Sequence, residues 1–362
     1  MDAADLNVPS ARLHVDLGAL GANYAQLVRV AAPNSVAAVV KADAYGLGLI
    51  PIASRLAERG CKAFFVTTVD EGVRLRNAVR GVKIFVLQGA VCAPDQCERA
   101  SLIPVLSTLQ DVREWAAVGT AIPTALQVDT GITRAGLGQT DIVQLLSDTS
   151  ACAALNICLL LTHLACADEP EHPLNAQQVA RFKDISAHFP NVQTSIGNSA
   201  GLFLGPDFQG DLARPGIALY GGQPFAERRV ALQDVVRLEA RVLQVRDVPA
   251  GVCVGYGASW QARTPSRIAT LDLGYADGYP RSLGNKGFAV AAGQRLPVVG
   301  RISMDMTTID ITALEGPSLR QGDYVDLLGG GVPIEEAARL AGTLHYELLT
   351  GLAARLTRVW HG

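Results

Sequence analysis

Residues 36–48 read Val36-Ala37-Ala38-Val39-Val40-Lys41-Ala42-Asp43-Ala44-Tyr45-Gly46-Leu47-Gly48. The five apolar residues before Lys41 predict a strand covered on both faces, because parallel strands in α/β proteins lack the polar alternation of half-exposed sheets. Gly46 and Gly48 predict a turn directly after this strand, and residues 47–59 have the apolar spacing of a helix. The stretch therefore predicts a lysine at the carboxyl end of a buried strand, where α/β folds place their active sites.

Two interpretations of Lys41 stay open from its position alone. Its ammonium group could extend to the surface without a function, as most lysines do. Alternatively, partial burial above a barrel mouth would disfavour the charged form and give the neutral amine that forms an imine with a carbonyl compound.

The totals favour a globular protein that acts on a small molecule. At 362 residues the chain has room for a barrel of about 250 residues and a smaller second domain. Hydrophobic residues make up 49% of the chain and charged residues 18%, which argues against disorder. The formal net charge is -3 and we find no Lys/Arg cluster, so neither nucleic acid nor a membrane surface is an expected partner.

The predicted compartment is the cytoplasm, because residues 1–10 lack the basic start and apolar core of a signal peptide. No apolar run has the length of a membrane span. The seven cysteines are an odd number without a CxxC pair, which predicts reduced, mostly buried thiols and no metal site.

Strands and helices alternate over the first two thirds of the chain. Eight strand-like runs end near Lys41, Thr67, Leu87, Ser107, Val128, His163, Ile196 and Tyr220. Helical patterns cover 70–79, 108–118, 141–147, 175–188 and 198–204. Eight strands interleaved with helices predict an α/β fold, a (β/α)8 TIM barrel, and no GxGxxG or Walker loop follows any strand.

The pattern becomes mainly β near Leu238. Extended runs separated by glycine-containing turns cover 240–246, 267–273, 288–291, 295–299 and 324–328, and helices are predicted at 333–341 and 346–356. We therefore predict a barrel domain over 1–237 and a mainly β C-terminal domain over 238–362. In this prediction, the first residues of the chain either belong to the barrel domain or pack on the C-terminal domain.

Polar residues follow several barrel strands at the same edge. Lys41 follows strand one, Arg134 follows strand five, and His163 ends strand six. Asn198 and Ser199 precede the predicted helix 198–204, and Arg214-Pro215-Gly216-Ile217 leads into strand eight. Singly, each has a structural explanation, such as a helix cap for Asn198. Together they predict a site in which the amides of a helix amino terminus at Ser199 hold a phosphate, and Gly216 allows close approach of the backbone.

The chain resembles the alanine racemases, which are fold-type III pyridoxal phosphate (PLP) enzymes. The matching segments occur in family order along nearly the whole chain, at 39–48, 128–131, 162–163, 198–200, 214–221, 255–257, 274–278 and 300–305. The resemblance implies racemisation of alanine, which supplies D-alanine for peptidoglycan or degrades alanine. It also implies a homodimer with shared active sites.

The resemblance implies roles at the matching positions. Lys41 would hold PLP and act as a base on one face of the substrate Cα, and Tyr256 of the other subunit would act on the opposite face. Arg214 would contact the pyridine nitrogen, supported by His163. The other cofactor-binding residues would be Tyr45, Asn198, Ser199, Gly216 and Ile217. The substrate-binding residues would be Arg134, Tyr275, Met304 and Asp305, and Tyr275 would also narrow the entrance.

The chain departs from the family pattern at two positions. Gln127 occupies a place where many members have a carbamylated lysine that hydrogen-bonds the equivalent of Arg134. Gln127 cannot form a carbamate, so either its neutral amide orients Arg134 more weakly, or a bound anion such as chloride near Gln127 and Arg134 supplies the missing negative charge. We predict chloride-dependent activity. Ala354 aligns with a tyrosine that contacts the cofactor phosphate in some members.

Other functions remain open at this point. A PLP carrier of the same barrel type would lack the C-terminal domain with Tyr256, and a serine or broad-specificity racemase would share every motif. PLP decarboxylases of this fold are usually longer. A class I aldolase would use a barrel lysine without PLP, but it would not explain Ser199, Arg214 and Gly216 together.

Overall fold

The computed structural model describes residues 9–89, 94–119, 122–316 and 318–362. The chain forms two compact units. The barrel unit consists of Leu20–Ala44 and Gly48–Gln233. The C-terminal unit contains the chain up to Ala19, the short segment Tyr45–Leu47, and Asp234–Gly362.

The barrel unit is built on parallel strands, each paired with the next along the chain. Seven of them are Ala38–Val39, Ala63–Val66, Lys83–Val86, Ile103–Leu106, Pro123–Gln127, Asn156–Leu161 and Gln193–Ser195. Alternate strand residues such as Ala63, Phe65, Val105 and Leu161 form one buried apolar cluster. The Phe65 and Phe85 rings stack in it with their centroids 4.6 Å apart. This cluster is the filled interior expected of a small barrel.

The eighth strand closes the barrel at a place that the sequence pattern did not predict. Leu212–Ala213 pairs in parallel with Ser35–Val36, which directly precedes the first strand of the series. On its other side, the N–H of Arg214, the residue directly after this strand, donates to the Gly197 carbonyl oxygen (2.6 Å). The predicted strand at 217–219 is wrong, because Ile217–Tyr220 is a 3-10 helix. Pro215 precedes it and has no N–H to donate to a strand ladder.

Helices surround these strands and mostly match the predicted periodicity. They are Leu17–Ala31, Leu49–Glu58, Val69–Ala78, Pro94–Ala100, Leu109–Val118, Gln139–Ser147, Thr149–Ala154 and Pro173–Ser186. The predicted helix 198–204 is wrong: only the single 3-10 turn Gly201–Phe203 forms, and Gly205 and Pro206 follow closely and end it. Asn198 and Ser199 therefore do not begin an α-helix.

The C-terminal unit contains a mixed sheet around the long strand Val236–Val248. Ala11–Asp16 lies beside it, antiparallel to Val236–Val248 and parallel to Thr357–His361. The remaining strands of this sheet are Ser266–Leu271, Phe288–Ala291, Gln294–Pro297, Thr307–Asp310 and Tyr324–Leu328. The helices are Ile334–Ala341 and His345–Thr350, so the predicted helix 346–356 ends early, before Gly351. A barrel followed by a mainly β domain is thus confirmed.

The structure also bears on two predictions about the whole chain, the absence of a membrane span and the reduced state of the cysteines. In the described part of the chain, no helix is long and apolar enough to cross a membrane. Cys61, Cys152, Cys158, Cys166 and Cys253 are free thiols. Cys97 is disulfide-bonded, so the prediction that all cysteines are reduced is wrong at that position. Cys92 lies outside the described residues.

A substitution at Gly210 tests how closely the seventh and eighth barrel strands pack, which we call the closing seam of the barrel. Its φ is +70°, and a Cβ there would lie 2.9 Å from the Thr194 carbonyl oxygen and 3.0 Å from Ser195 Cα. Gly81 has nearly the same φ, +71°, but open space around it. We expect Gly81→Ala to cost about 1 kcal/mol for its left-handed conformation alone. Gly210→Ala should cost more because its Cβ would collide with backbone.

The apparent Tm of both full-length variants, measured by differential scanning calorimetry, checks this prediction. Equal decreases in Tm for Gly210→Ala and Gly81→Ala would mean that the seam is not closely packed at Gly210.

Candidate active site

Lys41 lies directly after the first barrel strand and is partly buried. Burial lowers the pKa of its ammonium group, and the nearby positive charge of Arg134 lowers it further. The carboxylate of Glu71 opposes this effect. Lowering the pKa increases the fraction of neutral amine, which is the nucleophilic and basic form.

A left-handed turn follows Lys41 immediately. Ala42, Asp43, Ala44 and Tyr45 all have φ between 52° and 58°, a region that residues with a Cβ rarely occupy. The Ala44 N–H donates to the Val40 carbonyl oxygen (2.9 Å). The apolar run and the two glycines predicted a turn here, but nothing in the local sequence indicated four successive left-handed residues.

Arg214 is a buried guanidinium that contacts only neutral acceptors in the described residues. Its Nη2 donates to the Thr162 carbonyl oxygen (2.5 Å) and its Nη1 to Ser195 Oγ. Burial lowers its pKa to about 10, so it remains a cation at neutral pH. A buried charge without an opposite charge is costly, which makes this place suited to an anionic or electron-rich ligand. Ser195 and Thr162 were not identified from the sequence as partners of Arg214. The available signal was that each is a polar residue at the end of a buried strand.

His163 follows the strand Asn156–Leu161 and Thr162. Burial, and then the positive charges of Arg214, Arg134 and Lys41, lower the pKa of its imidazole to about 3. The His163 carbonyl oxygen accepts a hydrogen bond from Gln178 Nε2 (2.9 Å). Its ring is not a hydrogen-bond partner of Arg214 in the described residues, whereas the sequence prediction had it supporting Arg214.

Ser199 and the segment after Arg214 form a small polar cradle. Ser199 Oγ accepts hydrogen bonds from the Gly216 N–H (2.9 Å) and the Ala218 N–H (3.2 Å). Ile217 is fully buried, and its N–H has no hydrogen-bond partner in the described residues. Asn198 Oδ1 accepts from the Gly201 N–H (2.8 Å), so Asn198 holds the turn from which Ser199 extends. An unpaired amide beside a serine hydroxyl is a suitable donor set for a phosphate.

Arg134 lies in the loop after the strand Pro123–Gln127 and is exposed. It lies near enough to Lys41 and His163 to lower the pKa of both groups. Gln127 Nε2 donates to the Ala135 carbonyl oxygen (2.9 Å), so Gln127 holds the backbone of the loop. Where the structure describes the chain, the Arg134 guanidinium has no carboxylate partner.

The remaining candidate residues belong to the C-terminal unit. Tyr256 begins a 3-10 turn and is 70% exposed. Tyr275 and Met304 are held together by their backbones, since the Tyr275 N–H donates to the Ser303 carbonyl oxygen (3.1 Å) and the Ala276 N–H to that of Met304 (2.9 Å). Tyr45 is also in this unit, with its ring 6.2 Å from that of Tyr346.

Arg355 connects the two turns that carry Tyr275 and Met304. Its Nε donates to Asp277 (2.5 Å) and its Nη2 to Asp305 (2.7 Å). Sequence reasoning missed Arg355, because nothing in the local sequence indicates which carboxylates a basic residue near the chain end contacts. The structure thus brings Lys41, Arg134, His163 and Arg214 together in the barrel unit. It places Tyr275, Met304 and Asp305 together in the other unit.

Comparisons with known proteins agree on one family. The profile described as "Alanine racemase, N-terminal domain" matches residues 15–224, and "Alanine racemase, C-terminal domain" matches residues 235–360. Two similar relatives come from Agrobacterium fabrum. Its catabolic alanine racemase is 44% identical over 355 residues, covering 96% of this chain and 92% of the relative. Its biosynthetic alanine racemase is 42% identical over 362 residues, covering 96% and 93%.

A solved structure adds a cofactor to the comparison. The alanine racemase from Bartonella henselae, crystallised with covalently bound pyridoxal phosphate, has a TM-score of 0.92 and 38% sequence identity. The match covers 98% of this chain and 100% of that one.

The protonation state of His163 can be tested directly. Because its pKa is lowered to about 3, its imidazole should stay neutral when the pH falls from 8 to 5, where an unperturbed histidine becomes charged. Heteronuclear NMR of the histidine rings, with the signal assigned by its loss in His163→Gln, checks this. A His163 titration midpoint close to the ordinary value of about 6.5 would contradict it.

Proposed function

The chain belongs to the alanine racemase family and interconverts L-alanine and D-alanine, and we propose that Lys41 and Tyr256 carry the two proton transfers. The observation that supports Lys41 most directly is its position. It is a partly buried lysine with a lowered pKa at the end of a barrel strand. The Val39 N–H of that strand donates to the carbonyl oxygen of Pro215 (3.1 Å), the residue before Gly216 of the phosphate cradle. Racemisation requires that one group removes the Cα proton and another returns a proton on the opposite face.

The barrel residues fit the PLP of this family. Lys41 would hold the cofactor, the unpaired Ile217 amide and Ser199 would bind its phosphate, and Arg214 would face its pyridine nitrogen. When bound, PLP supplies an electron-withdrawing ring that stabilises negative charge at Cα. Lys41, Arg134 and Arg214 supply positive charge, and neither arginine is paired with a carboxylate in the described residues. This uncompensated positive charge is suited to binding the cofactor phosphate and the substrate carboxylate.

Arg214 limits what the site does with the cofactor ring. A guanidinium donates hydrogen bonds but is not a useful proton source, even with its pKa lowered to about 10. Thr162 and Ser195 fix its plane by accepting two of its N–H groups. Arg214 would therefore orient the ring, and the proton transfers at Cα would be left to Lys41 and Tyr256.

The substrate contacts in this proposal follow the family resemblance. Arg134 would bind the carboxylate of alanine, helped by the Met304 backbone. Asp305 would act through Arg355, which ties it to the turn that carries Tyr275. Tyr275 would narrow the entrance. The catabolic and biosynthetic relatives are similarly close, so we assign neither role to this chain.

We further propose a homodimer in which Tyr256 serves the active site of the other subunit. Tyr256 is 70% exposed, and the large apolar side chains of Tyr275, Met304 and Met306 are also exposed on this unit. Such a group of exposed apolar side chains is expected at an interface. We propose the cytoplasm as the compartment, since five of the described cysteines are free thiols and only Cys97 among them is disulfide-bonded.

A mixed-dimer experiment tests the pair of bases and their arrangement together. Lys41→Ala and Tyr256→Phe should each abolish L-alanine racemisation, measured by circular dichroism. If Tyr256 acts across the dimer, a refolded equal mixture should recover about a quarter of wild-type activity, since half the dimers are mixed and each has one intact site.

The separate variants, refolded in the same way, are the controls. Activity that does not return on mixing would contradict the shared site. A Tyr256→Phe variant that racemises at the wild-type rate would exclude Tyr256 as a base, and a wild-type chain that binds PLP without racemising alanine would indicate a carrier.

The chloride prediction follows from Gln127 and Arg134. Because Arg134 has a cationic neighbour in Lys41 and no carboxylate partner in the described residues, we expect chloride to raise activity by binding beside Arg134. Replacing chloride with a bulky non-coordinating anion should lower kcat/KM. In Gln127→Glu the added carboxylate should remove this dependence. An unchanged kcat/KM in the wild-type chain would contradict a chloride site.

A further inference from the structure

Glu71 is an acidic residue near Lys41 to which none of the above assigns a role. It lies in the first turn of the helix Val69–Ala78, after the second barrel strand. We propose that Glu71 is a positioning residue that holds the left-handed turn after Lys41 and thereby aims the lysine amine. The inference rests on the proposed function, in which Lys41 carries PLP.

Both oxygens of the Glu71 carboxylate accept backbone hydrogen bonds, and each oxygen binds a different turn. Oε2 accepts from the Thr67 N–H (2.8 Å) and the Thr68 N–H (3.2 Å), at the start of its own helix. Oε1 accepts from the Ala42 N–H (2.7 Å) and the Asp43 N–H (3.4 Å). One carboxylate thus joins the turns that follow the first and second barrel strands.

The left-handed turn needs such support. Its residues have side chains, so each is disfavoured relative to an ordinary right-handed conformation. Ala42 and Asp43 are at its start, where amides have no acceptor within the turn itself. The same helix holds the turn at a second point, because Arg74 Nη2 donates to Asp43 Oδ1 (3.2 Å). The direction of Lys41 at the first residue of the turn therefore depends on this helix.

The chain contains a natural control at Asp111. There the Ser107 N–H (3.2 Å) and the Thr108 N–H (2.9 Å) donate to Asp111 Oδ2, and the Asp111 N–H donates to Thr108 Oγ1. Glu71 makes the same cap with Thr67 and Thr68. Aspartate is therefore long enough for the cap alone, and the additional methylene of Glu71 gives the reach to Ala42 and Asp43.

Two charged groups act electrostatically on Lys41: Glu71 raises its pKa from the helix Val69–Ala78, and Arg134 lowers it from the loop after the fifth strand. His163 also faces Lys41, from the end of the sixth strand, but its imidazole is neutral at physiological pH. Glu71 is therefore the negative charge that offsets Arg134. Neutralising Glu71 should therefore lower the pKa of Lys41 further, while Glu71→Asp retains the charge.

The test uses full-length Glu71→Asp, Glu71→Gln and, as a matched control, Asp111→Asn. Glu71→Asp should keep the cap and lose the contacts to Ala42 and Asp43, whereas Asp111→Asn weakens an equivalent cap remote from Lys41. Amide hydrogen exchange of the PLP-loaded chains is the first measurement. Exchange should accelerate at Ala42 and Asp43 in Glu71→Asp and remain slow at Thr67 and Thr68.

Cofactor binding is the second measurement. In Glu71→Asp, the PLP dissociation constant should rise and kcat should fall by about tenfold to a hundredfold, the effect of misplacing a reacting group by about 1 Å. In Glu71→Gln, the midpoint pH of PLP attachment should also move to lower pH. Both quantities should stay at wild-type values in Asp111→Asn.

Two results would overturn the inference. One is unchanged exchange at Ala42 and Asp43 in Glu71→Asp; the other is faster exchange there with PLP binding and kcat equal to those of Asp111→Asn. A wild-type chain that does not attach PLP at Lys41 would instead contradict the proposed function.

Discussion

The guanidinium of Arg214 is buried against Thr162 and Ser195, and its partners among the described residues are neutral. Arg134 and Lys41 add positive charge nearby, and His163 stays neutral because burial and these cations lower its pKa to about 3. Bringing these groups together costs electrostatic free energy, which an anionic ligand offsets. A cofactor with a phosphate and a substrate with a carboxylate are such ligands, so the charge arrangement and the family assignment agree.

The barrel accounts for how residues so far apart in the sequence share one region. Lys41, Arg134, His163 and Arg214 follow the first, fifth, sixth and eighth strands, and the carboxyl ends of parallel strands meet at one edge. This arrangement depends on the closure of the barrel between its first and eighth strands. Leu212–Ala213 completes the ring by pairing with Ser35–Val36, and it brings Arg214 to the same edge as Lys41. The filled apolar interior below the site fixes the strand ends relative to one another.

Much of this could be predicted from sequence because the signals are local. The apolar run into Lys41 predicted its strand, and helix periodicity gave most of the barrel helices to within two residues. The eighth strand could not be placed, since a two-residue strand has no period and Ile217–Tyr220 is equally apolar. The predicted helix 198–204 failed because Gly205 and Pro206 end the segment after one turn.

The contacts that orient the site residues were not predictable. Ser195 beside Arg214, Glu71 beside the turn after Lys41, and Arg355 between two carboxylates are all separated in sequence from the groups they hold. Such pairs are determined by the packing of elements and not by local preference. Tyr256 was identified by resemblance alone, because an exposed tyrosine in a short turn has no local signal for a catalytic role.

Lys41 as the attachment point of PLP is the central claim, and the chain contains only five lysines. Lys62, Lys83, Lys183 and Lys286 are exposed, and none of them lies at the carboxyl end of a barrel strand. The direct measurement is borohydride reduction of the PLP-loaded protein followed by peptide mapping by mass spectrometry. We predict that the cofactor mass is found on Lys41 alone. A modification spread over the exposed lysines, or none on Lys41, would contradict the account.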